Sequence, residues 1–98
     1  MTKRNALLAT RRRKSALVRV INRASKRVRS KSAIFVLDAA LTKGALSIDL
    51  SRKSFLEVYS EGRGIKVVYV QLYVREGKTI HSKVKMVFRK KEGRWEKI

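Results

Sequence analysis

Apolar and polar residues alternate along the second half of the chain. The alternation begins at residue 45, after which apolar side chains occupy positions 46, 48 and 50 and polar ones occupy 47 and 49. A period of two is typical of a half-buried β-strand, because successive side chains of a strand point to opposite faces of the sheet. A first strand is therefore predicted over 45–50.

Glycine marks the turns in the rest of this half. Glu-Gly dipeptides stand at 61–62, 76–77 and 92–93, and glycine tolerates the positive φ that tight hairpin turns require. The segments between these turns are rich in Val, Ile and Tyr, which favour strands. They predict an antiparallel meander with strands over 65–74, 78–90 and 94–98. Residues 54–60 fit either a strand or a short helix, and both interpretations stay open.

Helical periodicity dominates the first half. Residues 3–30 contain no Gly or Pro and predict one long helix. The apolar stripe of this helix is formed by Leu17, Ile21, Ala24 and Val28. Residues 32–43 predict a second helix, with Ser32 as its N-cap and Gly44 just beyond its end. Because the run over 33–37 is short and apolar, a buried strand there is the alternative.

The hairpin at 75–77 predicts which side chains point outward. A three-residue loop with Gly77 at positive φ would pair Val74 with Lys78 and set the register of both strands. One face then packs on the core and collects Val68, Val70, Leu72, Val74, Ile80, Val84, Met86 and Phe88. The other face is basic and collects Val67, Tyr69, Gln71, Tyr73, His81, Lys83, Lys85 and Arg89. A two-residue loop would mix apolar and charged side chains on both faces, so it is disfavoured.

Together these elements predict a single α+β domain over 1–98, in which a long basic helix and a short second helix pack on the meander. Residues 1–31 would form a basic helical arm, and residues 32–98 would form the α+β core with its meander over 45–98. The stripe of the long helix would lie on one face of the sheet. The aromatic ring of Trp95 would fill one end of the core.

The positive charge is large and unevenly distributed. The 98 residues include 26 Lys and Arg against 7 Asp and Glu, for a net charge of +19. Twelve of the bases precede Asp38, which is the first acid. Such a segment repels itself unless a polyanion lies against it, and nucleic acid is the commonest such partner. Eight of these twelve bases are Arg, which both forks to phosphate and stacks, so RNA is favoured over DNA.

Nucleic-acid contacts are predicted on two surfaces. The basic helix would neutralise phosphates, through Arg4, Arg11, Arg12, Arg13, Arg19, Arg23, Lys26 and Arg27. The outward face of the sheet would hold phosphates with its cations while its rings stack on bases, through Tyr69, Tyr73, Lys83, Lys85 and Arg89. We expect a ribosome- or ribonucleoprotein-associated protein. A DNA-binding or DNA-packaging protein, viral or archaeal, is the alternative.

The sequence does not favour an enzyme. It contains one His, no Cys and only scattered acids, so the usual spacings for a metal site, a thiol nucleophile or paired carboxylates are missing. No catalytic residue, metal or cofactor is therefore assigned. A small ribonuclease toxin is the enzymatic alternative, and it would use His81 with Tyr69, Lys83 and Arg89.

Hydropathy gives a first indication of location. No apolar run reaches the roughly 18 residues of a membrane span, and no apolar segment follows the N-terminal charges as in a secretory signal. The absence of cysteine fits a reducing compartment, so a cytoplasmic protein is expected. An anionic membrane surface, an acidic protein partner or a targeting role are the other uses of such a basic segment. The sequence does not predict an oligomeric state.

Overall fold

The protein is an α+β fold, as predicted. The computed structural model describes residues 5–6, 11–23, 25–60 and 66–98. Its two helices are α1 (Arg11–Asn22) and α2 (Lys31–Lys43). Its sheet runs in chain order from one edge to the other, with β1 (Asn5–Ala6), β2 (Ala45–Asp49), β3 (Ser54–Ser60), β4 (Val67–Glu76), β5 (Thr79–Lys91) and β6 (Arg94–Lys97). Strands β2 to β6 form the predicted antiparallel meander. Residues 54–60, which fit either a strand or a short helix by sequence, form a strand.

The prediction of one helix over 3–30 is wrong. Helix α1 ends at Asn22. Upstream of it, Asn5–Ala6 form β1, which pairs in parallel with β2. The other predicted helical positions before α1 lie outside the described residues, as does Ala24. Periodicity alone therefore overestimates the length of this helix.

Residues 25–30 leave the helix and run beside β6. The Val28 N–H donates to the Trp95 carbonyl over 3.1 Å, and the Lys97 N–H donates to the Lys26 carbonyl over 2.6 Å. Strand β6 would otherwise expose these backbone groups at the edge of the sheet, so the extended conformation satisfies both partners. Val28 is buried here as well. The apolar residue predicted on the helix stripe thus reaches the core from an extended segment.

The two helices form one layer against the sheet. Helix α2 lies on β2, β3 and β4, and α1 packs against α2. Helix α2 therefore occupies the position on the sheet that was predicted for the long basic helix. The predicted stripe residues Leu17 and Ile21 are buried on α1. The shared core contains the buried faces of both helices and the inner residues of the strands, including Leu37, Leu56 and Phe88.

Local sequence signals set both ends of α2. The Ser30 hydroxyl accepts a hydrogen bond from the Ala33 N–H over 3.3 Å, so the N-cap is Ser30 and not the predicted Ser32. At the other end, the N–H of Gly44 donates to the Ala40 carbonyl over 2.8 Å. Gly44 has a φ of 90°, which glycine adopts without the strain of a Cβ atom. The predicted second helix and its terminal glycine are confirmed.

The predicted register of the β4–β5 hairpin is wrong. Glu76 pairs with Thr79, so the turn contains two residues, and Gly77 has a positive φ of 62°. A β-bulge follows, because Leu72 pairs with Val84 while its neighbour Tyr73 pairs with Ser82. The bulge inserts one extra residue, Lys83, into β5. An insertion of this kind restores the apolar alternation that a two-residue turn would otherwise lose.

On the side of the bulge away from the hairpin turn, the predicted core face is confirmed. Val68, Val70 and Leu72 share it with their partners Phe88, Met86 and Val84. Between the bulge and the turn, the residues of β5 lie on the faces opposite to those predicted. Ile80 pairs with Arg75 and is 54% exposed, and His81 pairs with Val74, so neither lies on its predicted face.

The Asp38 carboxylate joins the helix layer to the last two strands. Its Oδ1 accepts hydrogen bonds from the Trp95 Nε1–H and the Lys90 Nζ, each over 2.9 Å. Partial burial acts to raise the pKa of Asp38, but the two hydrogen bonds and the Lys90 charge outweigh it and lower the pKa. The Trp95 ring is buried at the end of the core, as predicted.

Candidate nucleic-acid interface

Helix α1 separates its apolar and basic residues onto opposite sides. Ala16, Leu17, Val20 and Ile21 are buried against the core. The exposed side carries Arg11, Arg12 and Arg19, and Arg23 follows the end of the helix. Positions 12 and 19 are two turns apart, which places both guanidinium groups on one side about 10 Å from each other along the axis.

The extended segment after α1 turns this basic side into a groove. A cavity of about 270 Å³ lies between α1 and residues 25–30, with an apolar floor of Ala16 and Val20. A second depression of about 570 Å³ continues it along α1 toward the start of α2. We call the joined surface the arginine groove; its cations are Arg11, Arg12, Arg19, Arg23, Arg27, Arg29 and Lys31.

The arginine groove is uniformly positive. Among the described residues that line its two depressions, none is acidic. Ion pairs within the described part of the chain engage Lys83, Arg89 and Lys90, all on β5, and none of these three lines the groove. The groove cations therefore keep their charge available for an external anion.

Most residues predicted on the basic helix contribute to this groove. Arg11, Arg12, Arg19, Arg23 and Arg27 line it, the last from the extended segment. Arg13 instead lies over the half-exposed ring of Phe35, with its guanidinium carbon 4.0 Å from the ring centroid. Lys26 is exposed beside β6, and Arg4 lies outside the described residues. Sequence reasoning missed Arg29 and Lys31, because a continuous helix gives no signal that residues 25–31 fold back toward α1.

The second predicted surface lies on the opposite side of the sheet. Strand alternation places one set of side chains away from the helices, and we call this the outer face. Tyr69, Tyr73, Lys85 and Arg89 lie on it, as predicted. Lys83 does not follow the alternation, because it is the bulge residue, and its Nζ lies 3.9 Å from the Glu76 carboxylate.

Aromatic rings cover the centre of the outer face. Phe55 stacks on Tyr73 with ring centroids 5.1 Å apart, and Tyr59 stacks on Tyr69 at 5.3 Å. Cations complete both pairs: Arg75 lies over the Phe55 ring at 4.6 Å and Lys85 over the Tyr69 ring at 5.1 Å. Phe55 is only 5% exposed as a result. These rings already contact one another, which leaves less ring area for bases than the sequence predicts.

Three of the six acidic residues in the described part of the chain lie on the same face. Asp49 and Glu57 point outward from β2 and β3, and Glu96 points outward from β6. The Glu96 carboxylate accepts a hydrogen bond from Arg89 over 2.6 Å, and this bond lowers the pKa of Glu96. The outer face therefore mixes both signs of charge, in contrast to the arginine groove.

The residues of the ribonuclease alternative are not brought together. His81 and Arg89 are eight residues apart on β5, a separation of roughly 26 Å along a strand. His81 pairs with Val74, whereas Tyr69 pairs with Val87 at the other end of the hairpin. No group of acidic, His or Cys residues within the described ranges has the arrangement of a metal site.

Comparison of the chain with protein-family models, with curated proteins and with solved structures finds no match. Neither described helix is long and apolar enough to cross a membrane. The interpretation of the site therefore rests on its own geometry and charge.

Proposed function

We propose that this protein is a non-enzymatic nucleic-acid-binding protein that neutralises phosphates with its arginine groove. The observation that carries the proposal is the convergence of seven cations from α1, the extended segment and the start of α2, with no acid among the described residues lining the groove. Cations that face a polyanion release its condensed counterions on binding, and this release is the main driving force of backbone recognition.

RNA is the favoured partner. Six of the seven groove cations are Arg, whose planar guanidinium donates two parallel hydrogen bonds to phosphate and stacks on unpaired bases. The apolar floor of the cavity offers a surface for such a base, as single-stranded RNA recognition commonly requires. A ribosome- or ribonucleoprotein-associated role in the cytoplasm fits this chemistry and the absence of cysteine.

The test is a binding series in increasing salt, with matched single- and double-stranded RNA and DNA. If the groove neutralises about six phosphates, the logarithm of the association constant on duplex falls with the logarithm of salt concentration with a slope near −5. The variant R19Q/R23Q/R29Q removes three groove charges. Its slope should be less steep by about 2 to 3 if each of these Arg residues contacts one phosphate.

A matched control removes the same charge elsewhere. The variant R52Q/K53Q/K78Q has the same net charge as the groove variant, but its substitutions lie in two exposed turns that do not line the groove. It should bind nearly as the wild type does. Equal losses in both variants would show non-specific attraction and refute the groove, and equal binding of RNA and DNA would favour packaging of DNA. Degradation of RNA during the incubation would favour the ribonuclease alternative.

A further inference from the structure

The outer face is nearly balanced in charge, although the chain as a whole carries a net charge of +19. Among the described residues, strand alternation and pairing give it five cations and three carboxylates, which are Arg75, Lys85, Arg89, Lys91, Arg94, Asp49, Glu57 and Glu96. A polyanion on this surface would be repelled by three carboxylates. The arginine groove has no acid among its described lining residues, so its charge complements nucleic acid better.

The charges on the outer face are also separated by sign. The outward positions of β2 and β3 include Asp49 and Glu57 and no cation. The outward positions of β5 and β6 include four cations and a single carboxylate, Glu96. Strand β4 lies between these two halves. Its Arg75 guanidinium lies over the Phe55 ring of β3 and offsets one of the two carboxylates there. The β2–β3 half is therefore weakly acidic and the β5–β6 half is basic, which makes the face electrostatically complementary to itself.

We propose that a second copy of this chain docks on the outer face, related to the first by a two-fold axis parallel to β4. Such an axis lies in the plane between the two sheets and places the β2–β3 half of each copy opposite the β5–β6 half of its partner. This isologous arrangement is the commonest form of homodimer, and two sheets with nearly aligned strands pack about 10 Å apart.

The register of the strands makes the match specific. Glu57, Gln71 and Lys85 lie side by side on β3, β4 and β5. Rotation about β4 therefore places Glu57 of one copy over Lys85 of the other, and the contact occurs twice in the dimer. Gln71 meets its own symmetry mate on the axis.

The neighbouring rows match in size. Phe55, Tyr73 and Ser82 form one row, and Tyr59, Tyr69 and Val87 form another. The same rotation sets the large rings of β3 over the smaller side chains of β5. Strands β2 to β6 together present roughly 600 to 700 Å² of geometric area, which approaches the about 800 Å² per partner of a standard interface.

Charge exchange between Glu57 and Lys85 tests the proposal in sedimentation equilibrium without nucleic acid. Measurements at about 0.15 M salt screen the repulsion between the two basic grooves but not close contacts. The wild type should be a dimer at about 100 μM. Each single reversal, E57K or K85E, places like charges together at two sites and should weaken the dimer roughly tenfold or more. The double variant E57K/K85E has the wild-type net charge and should restore the dimer.

A reversal on the hairpin turn, K78E, serves as the control and should leave the dimer unchanged, because Lys78 lies outside the outer face. Trp95 fluorescence verifies that each variant is folded. A monomeric wild type, or a double variant that stays monomeric, would overturn the proposal. If the wild type is monomeric and the E57K/K85E variant binds RNA less tightly than the wild type does, the outer face is assigned to RNA instead. The groove variant R19Q/R23Q/R29Q should dimerise as the wild type does, so failure of the RNA proposal is distinguishable from failure of this one.

Discussion

Replacement of Asp38 by Ala should destabilise the fold through Trp95. The carboxylate accepts the indole N–H over 2.9 Å, and Trp95 is 1% exposed, so the N–H would lose its partner inside the protein. An unsatisfied buried donor costs about 1–3 kcal/mol. The ion pair with Lys90 adds at most about 1 kcal/mol, because the Lys90 and Asp38 side chains are 25% and 44% exposed. The expected loss in the free energy of unfolding is therefore about 1–4 kcal/mol.

The measurement is urea denaturation followed by the emission of Trp95, the single tryptophan. Asp38→Asn is the matched control, because its amide oxygen can still accept the indole N–H while the charge is lost. It should cost about 1 kcal/mol or less. A loss below about 0.5 kcal/mol for Asp38→Ala would refute the reasoning, since the cost of an unsatisfied donor would then be absent. Equal losses for the two variants would show that charge, and not the indole hydrogen bond, supplies the stabilisation.

Acid should remove the contribution of the Asp38 charge to the stability of the wild type. Because the folded-state pKa of Asp38 is lowered, the charged carboxylate stabilises the fold fully above its unfolded pKa of about 4. The contribution is lost as the pH falls through the lowered folded pKa. The difference in stability between the wild type and Asp38→Asn should therefore shrink below about pH 4. A difference that stays constant down to pH 2 would contradict the proposed role of the charge.

Two further substitutions test the helix layer. Leu37→Ala should cost about 2–5 kcal/mol, since Leu37 is fully buried between α2 and the sheet and its removal leaves a cavity; a loss below about 1 kcal/mol in urea denaturation would show that the site collapses freely. Gly44→Ala should cost about 1 kcal/mol through backbone strain alone, because the φ of Gly44 is 90° and an added Cβ would meet no atom within 4 Å; an unchanged thermal midpoint would contradict this.

The sequence predicts the elements of this fold better than their pairing. Alternation at 45–50 and the Glu-Gly turns at 76–77 and 92–93 locate strands, and Gly44 locates the end of α2. The predicted turn at 61–62 lies outside the described residues. The same pattern does not predict the bulge. Ile80 continues the even-numbered apolar positions of β5, but the extra residue Lys83 places it on the opposite face. Only the hydrogen-bonded ladder shows the exchange of faces.

The basic helix shows a second limit of local pattern. Residues 25–30 have no glycine or proline to end a helix, and their extended conformation depends on β6, which lies about 70 residues later in the chain. Local propensity cannot anticipate a partner at that distance. The candidate residues on α1 could thus be predicted from charge, whereas the addition of Arg29 and Lys31 required the tertiary fold.

The edges of the sheet have a consequence for assembly. Both edges are its shortest strands, two residues in β1 and four in β6, while the ten and thirteen residues of β4 and β5 lie inside. Residues 26–28 also hydrogen-bond to β6. A bound polyanion would cancel much of the mutual repulsion between such basic chains and would bring many copies close together. Within the described residues, the shortness of β1 and the cover on β6 leave little template on which another chain could extend the sheet. Fibre growth of crowded copies is thereby disfavoured even when their charge is neutralised.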